Sequence, residues 1–100
     1  MKKIKIKESQ VQNAIIQYLT LKKLFFWRNN SGCIFSNKRM IRLGITGSPD
    51  IYILKKGVLI GLEIKGSEGK QTALQKKFQQ RFEKEGGLYY LVREINDLDL

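Results

Sequence analysis

Three residues in two short stretches have the types and spacing of a hydrolytic centre: Asp50 in SPDIYIL, and Glu63 with Lys65 in GLEIKG. Strand side chains alternate, so Val58, Ile60, Leu62 and Ile64 share one face while Leu59, Gly61, Glu63 and Lys65 share the other. The first face is the predicted core. Glu63 and Lys65 then project the same way, roughly 7 Å apart along the strand, with Gly61 leaving space beside them. Pro49 sets the entry to the preceding strand, and an antiparallel hairpin brings Asp50 to the Glu63 end.

Two carboxylates converging beside an ammonium repel each other unless a cation lies between them, and hard oxygen donors favour Mg²⁺ or Mn²⁺. Such a metal activates water and offsets charge on a scissile phosphate. Lys65 either stabilises that charge or helps deprotonate the water. A Glu-x-Lys on a strand is often only a solvated face, and Pro-Asp often only begins a turn. The two together, with twelve residues between Asp50 and Glu63 filled by a hairpin, point to a metal site.

Composition restricts the partners. Nineteen Lys and Arg against nine Asp and Glu give a net charge of +10, which suits a polyanion, and nucleic acid first among them. Histidine is absent, so hydrolysis has to use carboxylates, lysine or metal. The single Cys33 has no internal disulfide partner, and neither an apolar leader nor a long apolar span is present, so a reducing cytoplasm without membrane attachment is expected. One hundred residues suit one domain, 1–100, with a core small enough for dimerisation to help.

The elements that must position these residues follow from periodicity and turn chemistry. Glu8 to Lys23 has a helical stripe of Val11, Ala14, Ile15, Tyr18 and Leu19. Leu24 to Arg28 reads as a short buried strand. Cys33 to Ser48 reads as a loop that can hold a hairpin. Strands over Asp50–Leu54 and Val58–Lys65 flank a tight turn at Lys55, Lys56 and Gly57. A helix from Thr72 to Glu85 buries Leu74, Phe78 and Phe82 and stops at Gly86 and Gly87. Leu88–Val92 is a last strand, and a short helical turn follows from Asn96. The order predicts an α/β domain, a mixed sheet flanked by helices.

Two further positions admit two readings each. Glu8 sits on the inward stripe of the first helix as a third metal-side carboxylate, or serves as a first-turn Glu favoured by the helix dipole. Gln75 completes a capping box with Thr72, or points toward the sheet to hold water or a phosphate oxygen.

GSPDIYIL, GLEIKG and the QTALQKKF helix start, in this order and spacing, resemble the VRR-NUC branch of the PD-(D/E)XK nucleases over nearly the whole chain. The resemblance implies a restriction-endonuclease-like mixed β-sheet flanked by α-helices and a Mg²⁺- or Mn²⁺-dependent DNA endonuclease. Matching positions are Glu8, Asp50, Glu63, Lys65 and Gln75, with Glu8 on the metal side and Gln75 orienting water; the backbone carbonyl of Ile64 is a further expected ligand. Stand-alone members of this size, typical of phages and bacteria, are similar to Holliday-junction resolvases acting as homodimers. Lys38, Arg39, Arg42 and Lys70 are the expected DNA contacts, made to phosphate and therefore to shape. A monomeric nuclease on flaps, nicks or linear duplex, and a non-catalytic nucleic-acid-binding module, are the alternatives.

Overall fold

A computed structural model describes residues 4–29 and 32–100, with the backbone alone at 32–35 and 41–43. The chain is a mixed α/β fold. Helix α1 (Glu8–Leu21) precedes β1 (Phe26–Arg28), the hairpin β2 (Gly32–Ser36) and β3 (Arg39–Leu43), then β4 (Ile51–Lys55), β5 (Val58–Ile64), helix α2 (Ala73–Lys84), β6 (Leu88–Val92) and a 3₁₀ turn at Ile95–Asp97. The main sheet has the order β1-β4-β5-β6, and β2-β3 forms a separate two-stranded sheet.

Turn chemistry fixes both hairpins. Lys56 and Gly57 take φ of +49° and +82° between β4 and β5, and Asn37 and Lys38 take +49° and +59° between β2 and β3. Two consecutive left-handed residues match the twist of the flanking strands. The first turn sets the register Ile51↔Leu62 and Ile53↔Ile60. β6 then joins β5 in parallel, Ile64 opposite Val92, with α2 as the crossover.

The core lies between α1 and one face of this sheet. Val11, Ile15 and Leu19 recur at helical spacing and pack on Ile51, Ile53, Ile60, Leu62, Ile64 and Val92. Ala14 is exposed, however, and Tyr18 is only half-buried. Val58, expected in the core, is 37% exposed because it opens β5 at the turn.

The opposite face is covered sparsely. Helix α2 has no fully buried residue, and Leu74, expected on its buried edge, is 55% exposed. Of its apolar residues Phe78 and Phe82 turn inward, and Phe82 meets Tyr52 edge-on at 6.2 Å. β1 departs from expectation in the same way: it is an edge strand, with Trp27 41% exposed and Phe25 before it 69% exposed. An apolar run does not by itself reveal whether a second layer will cover it.

Candidate metal centre

Asp50 stands in a bend one residue before β4, and three hydrogen bonds hold it there. Its N–H donates to Leu62 O at 3.0 Å, and its carbonyl accepts from Asn29 N–H at 2.8 Å. Its Oδ2 accepts from Ile64 N–H at 2.8 Å, so the carboxylate is pinned to the end of β5. Pro49 before it is fully buried, and its ring fills the space that Gly61 leaves: a Cβ at Gly61 would lie 2.8 Å from Pro49 Cγ. That space therefore serves the approach of Pro49 and Asp50, not a substrate beside Glu63.

Glu63 is 2% exposed. Its Oε1 accepts from Gln75 Nε2 at 2.9 Å and lies 3.7 Å from Lys65 Nζ. Its Oε2 is buried and has no hydrogen-bond partner. Burial raises the Glu63 carboxyl most; the charge of Asp50 adds to that and Lys65 opposes it, while a side-chain hydrogen bond shared with Asp50 when Glu63 carries its proton and the charge of Glu8 raise it further, leaving it at about 8. A buried anion in this setting holds a proton or requires a cation.

Gln75 completes the capping box and also points toward the sheet. Its Oε1 accepts from Thr72 N–H at 2.8 Å while its backbone N–H donates to Thr72 Oγ1 at 3.2 Å, completing the capping box. The amide nitrogen stays available for Glu63. Gln75 thus holds a carboxylate by a direct bond, where a water or a phosphate oxygen was expected.

Glu8 is exposed, in the first turn of α1, yet its carboxylate joins the other two. Glu8, Asp50 and Glu63 each offer an oxygen, and all three oxygens lie within 4.8 Å of one another. What brings α1 there is a junction between residues 61 apart. Ile6 N–H donates to Ser67 Oγ at 3.0 Å, and Ser67 N–H donates to Ile6 O at 3.0 Å. Gly66 permits the approach, since a Cβ there would lie 2.6 Å from Ile6 O and 2.9 Å from Glu8 N. Arg93 Nη1 donates to Gly66 O at 2.7 Å and fixes the loop from the β6 side.

Lys65 follows β5, its N–H bonded to Val92 O and its ammonium beside Glu63. Its side chain is 11% exposed, with the stem lying against Gly69. Ile64 sits between Glu63 and Lys65 and gives its N–H to Asp50. The donor set is three carboxylate oxygens, one of them from the buried Glu63, which suits a hard divalent cation and not a soft one.

The other expected contacts lie elsewhere. Lys38 and Arg39 are exposed at the turn of the β2–β3 arm, and Lys70 is exposed in the loop before α2. The Arg42 side chain lies outside the described residues. An apolar groove of about 640 Å³ along α2, bounded by Tyr52, Leu59, Leu74, Phe78 and Phe82, is separate from the carboxylates. Among the described residues no helix is long and apolar enough to cross a membrane. No family model matches this chain, and no curated protein or solved structure was found to be similar to it.

Proposed function

We propose that this chain is a Mg²⁺- or Mn²⁺-dependent DNA endonuclease of the VRR-NUC branch of the PD-(D/E)XK nucleases, acting as a homodimer on four-way junctions in the cytoplasm. The observation that carries the proposal is the buried Glu63, whose Oε2 has no hydrogen-bond partner, in a cluster with the Glu8 and Asp50 carboxylates and with its Oε1 beside Lys65. A mixed sheet with α1 packed on one face and α2 on the other supports assignment to the PD-(D/E)XK core.

In this reading Asp50, Glu63 and Glu8 would hold the cation, with the Ile64 carbonyl as a further ligand. Bound there, a cation would supply water activation and charge neutralisation at the phosphate. Lys65 places a positive charge where the leaving oxygen becomes negative. Gln75 keeps the Glu63 carboxylate in one orientation by its bond to Oε1. The +10 charge attracts DNA whatever its sequence, and the exposed Lys38, Arg39 and Lys70 give it phosphate contacts.

Labelled four-way-junction, flap and duplex DNA incubated with Mg²⁺ test this, with light scattering giving the subunit count. Paired nicks in the junction by a dimer are expected, abolished in Asp50→Ala. Unchanged cleavage by Asp50→Ala would refute the site. A monomer that cuts flaps or duplex equally well would leave the nuclease and remove the junction. DNA binding without cleavage would favour a non-catalytic binding module.

A further inference from the structure

Arg28 ends β1 on the strand beside Asp50, and nothing in the carboxylate centre accounts for its arrangement. The register pairs Arg28 with Ile51, and the next residue, Asn29, donates its N–H to Asp50 O at 2.8 Å. Adjacent strands lie about 4.8 Å apart, so Arg28 flanks the centre at the same end of the sheet.

Its guanidinium is held from α1. With the Gln12 amide turned so that its oxygen faces the guanidinium, Oε1 accepts from Arg28 Nε at 3.1 Å and from Nη2 at 2.8 Å. The opposite orientation would set N–H against N–H. Gln12 lies four residues after Glu8, one turn along the same helix face. One face of α1 thus presents a carboxylate to the centre and, a turn later, orients an arginine on the strand next to that of Asp50.

The choice of partner matters. An amide oxygen fixes the guanidinium without neutralising it, and among the described residues no ion pair involves Arg28. The residue is exposed. Gln12 occupies the Nε edge, which leaves the outer Nη1–Nη2 edge to meet two oxygens of one phosphate. Arg93, at the end of β6, makes the contrast: it is half-buried and spends a donor on Gly66 O, an architectural use.

We infer that Arg28 is a phosphate-binding residue of the centre, taking a phosphate next to the scissile one, and that Gln12 is its positioning residue. The inference rests on the DNA-cleaving reading above. A flexible charge would attract DNA equally well, but an oriented fork fixes where the backbone lies relative to Asp50 and Glu63.

Fluorescence anisotropy with labelled junction and duplex DNA in EDTA, across a salt series, tests it in the full chain, with a thermal melt of every variant. Arg28→Ala is expected to weaken binding severalfold and to lower the slope of log affinity against log salt by about one. Gln12→Ala is expected to keep the slope, because the charge remains, and to lose affinity. Arg28→Lys is expected to keep the slope without recovering the affinity. Where Ala loosens the fold, Arg28→Gln supplies a neutral partner for Gln12. An unchanged slope and affinity in both neutral variants overturns the inference, as does a parent chain that binds no DNA. A parent that binds DNA with the expected loss in Arg28→Ala but never cuts it keeps Arg28 as a phosphate-binding residue held by Gln12, and removes the nuclease and with it the scissile neighbour.

Discussion

A carboxyl that is 2% exposed, with one oxygen lacking any partner, pays a desolvation cost that a proton or a cation relieves. Without metal the proton does so. The unfolded Glu63 carboxyl titrates near 4.5 and the folded one near 8, so between those values the folded chain binds a proton that the unfolded chain has released. The stability of the metal-free chain is therefore greatest below the lower value, falls as pH rises through the window, and has lost this contribution above the upper one. Glu63→Gln keeps the shape and removes the titration. In EDTA at pH 8.5 the variant should melt above the parent by on the order of 5 °C, and at pH 4.5 the two should converge. Mn²⁺ at pH 8.5 should raise the parent's melting temperature and leave the variant's where it was. Circular dichroism melts read both effects, and an equal Mn²⁺ response in the two proteins would show that Glu63 is no ligand.

The elements matter because each carboxylate is delivered by a different one: Glu8 by α1, Asp50 by the approach to β4, Glu63 by β5. The tightest junction among them is the crossing of the α1 start over Gly66. A methyl at Gly66 meets backbone atoms, Ile6 O and Glu8 N, and backbone cannot swing aside as a side chain can. Gly66→Ala should cost about 1–3 kcal/mol and displace Glu8. Calorimetric titration with Mn²⁺ should then show weaker binding than in Ser67→Ala, which loses a hydrogen bond without adding volume. Equal affinity in the two would detach Glu8 from the metal. This junction was not legible in the sequence, because nothing local to Gly66 or Ser67 points 61 residues back. Asp50, Glu63 and Lys65 were legible, since strand alternation and one tight turn fix their convergence. Gln75 was legible only as two separate readings, because a capping acceptor and a carboxylate donor sit on opposite atoms of one amide. The strands β4, β5 and β6 followed from alternation and glycine turns. The exposure of β1 and Leu74 did not, for it depends on how far α2 extends across the sheet.

At the scale of the whole molecule, charge and shape act together. The radius of gyration is 14.6 Å, above the roughly 13 Å of a compact 100-residue domain. The β2–β3 arm, a sheet of its own, belongs to that excess. The main sheet closes under its base: Asn29 Nδ2 donates to Ser48 Oγ and to Pro49 O, both at 2.8 Å, so the chain leaves and returns at the Asp50 end. The arm therefore starts beside the carboxylates, with Lys38 and Arg39 exposed at its turn. Five-residue strands carry that turn roughly 16 Å from the base, and in the proposed DNA complex that span would reach phosphates beyond the scissile one. These tip charges should add affinity without sequence preference, since phosphate contacts carry no base information. Lys38→Ala with Arg39→Ala should lower the salt slope by about two and weaken junction and duplex binding by the same factor. The melting temperature should stay within about 1 °C, because neither side chain is buried. A slope unchanged in the double variant would mean that the tip is solvated and that phosphates are met only near the centre. A loss confined to the junction would instead make the arm the part that distinguishes branched DNA.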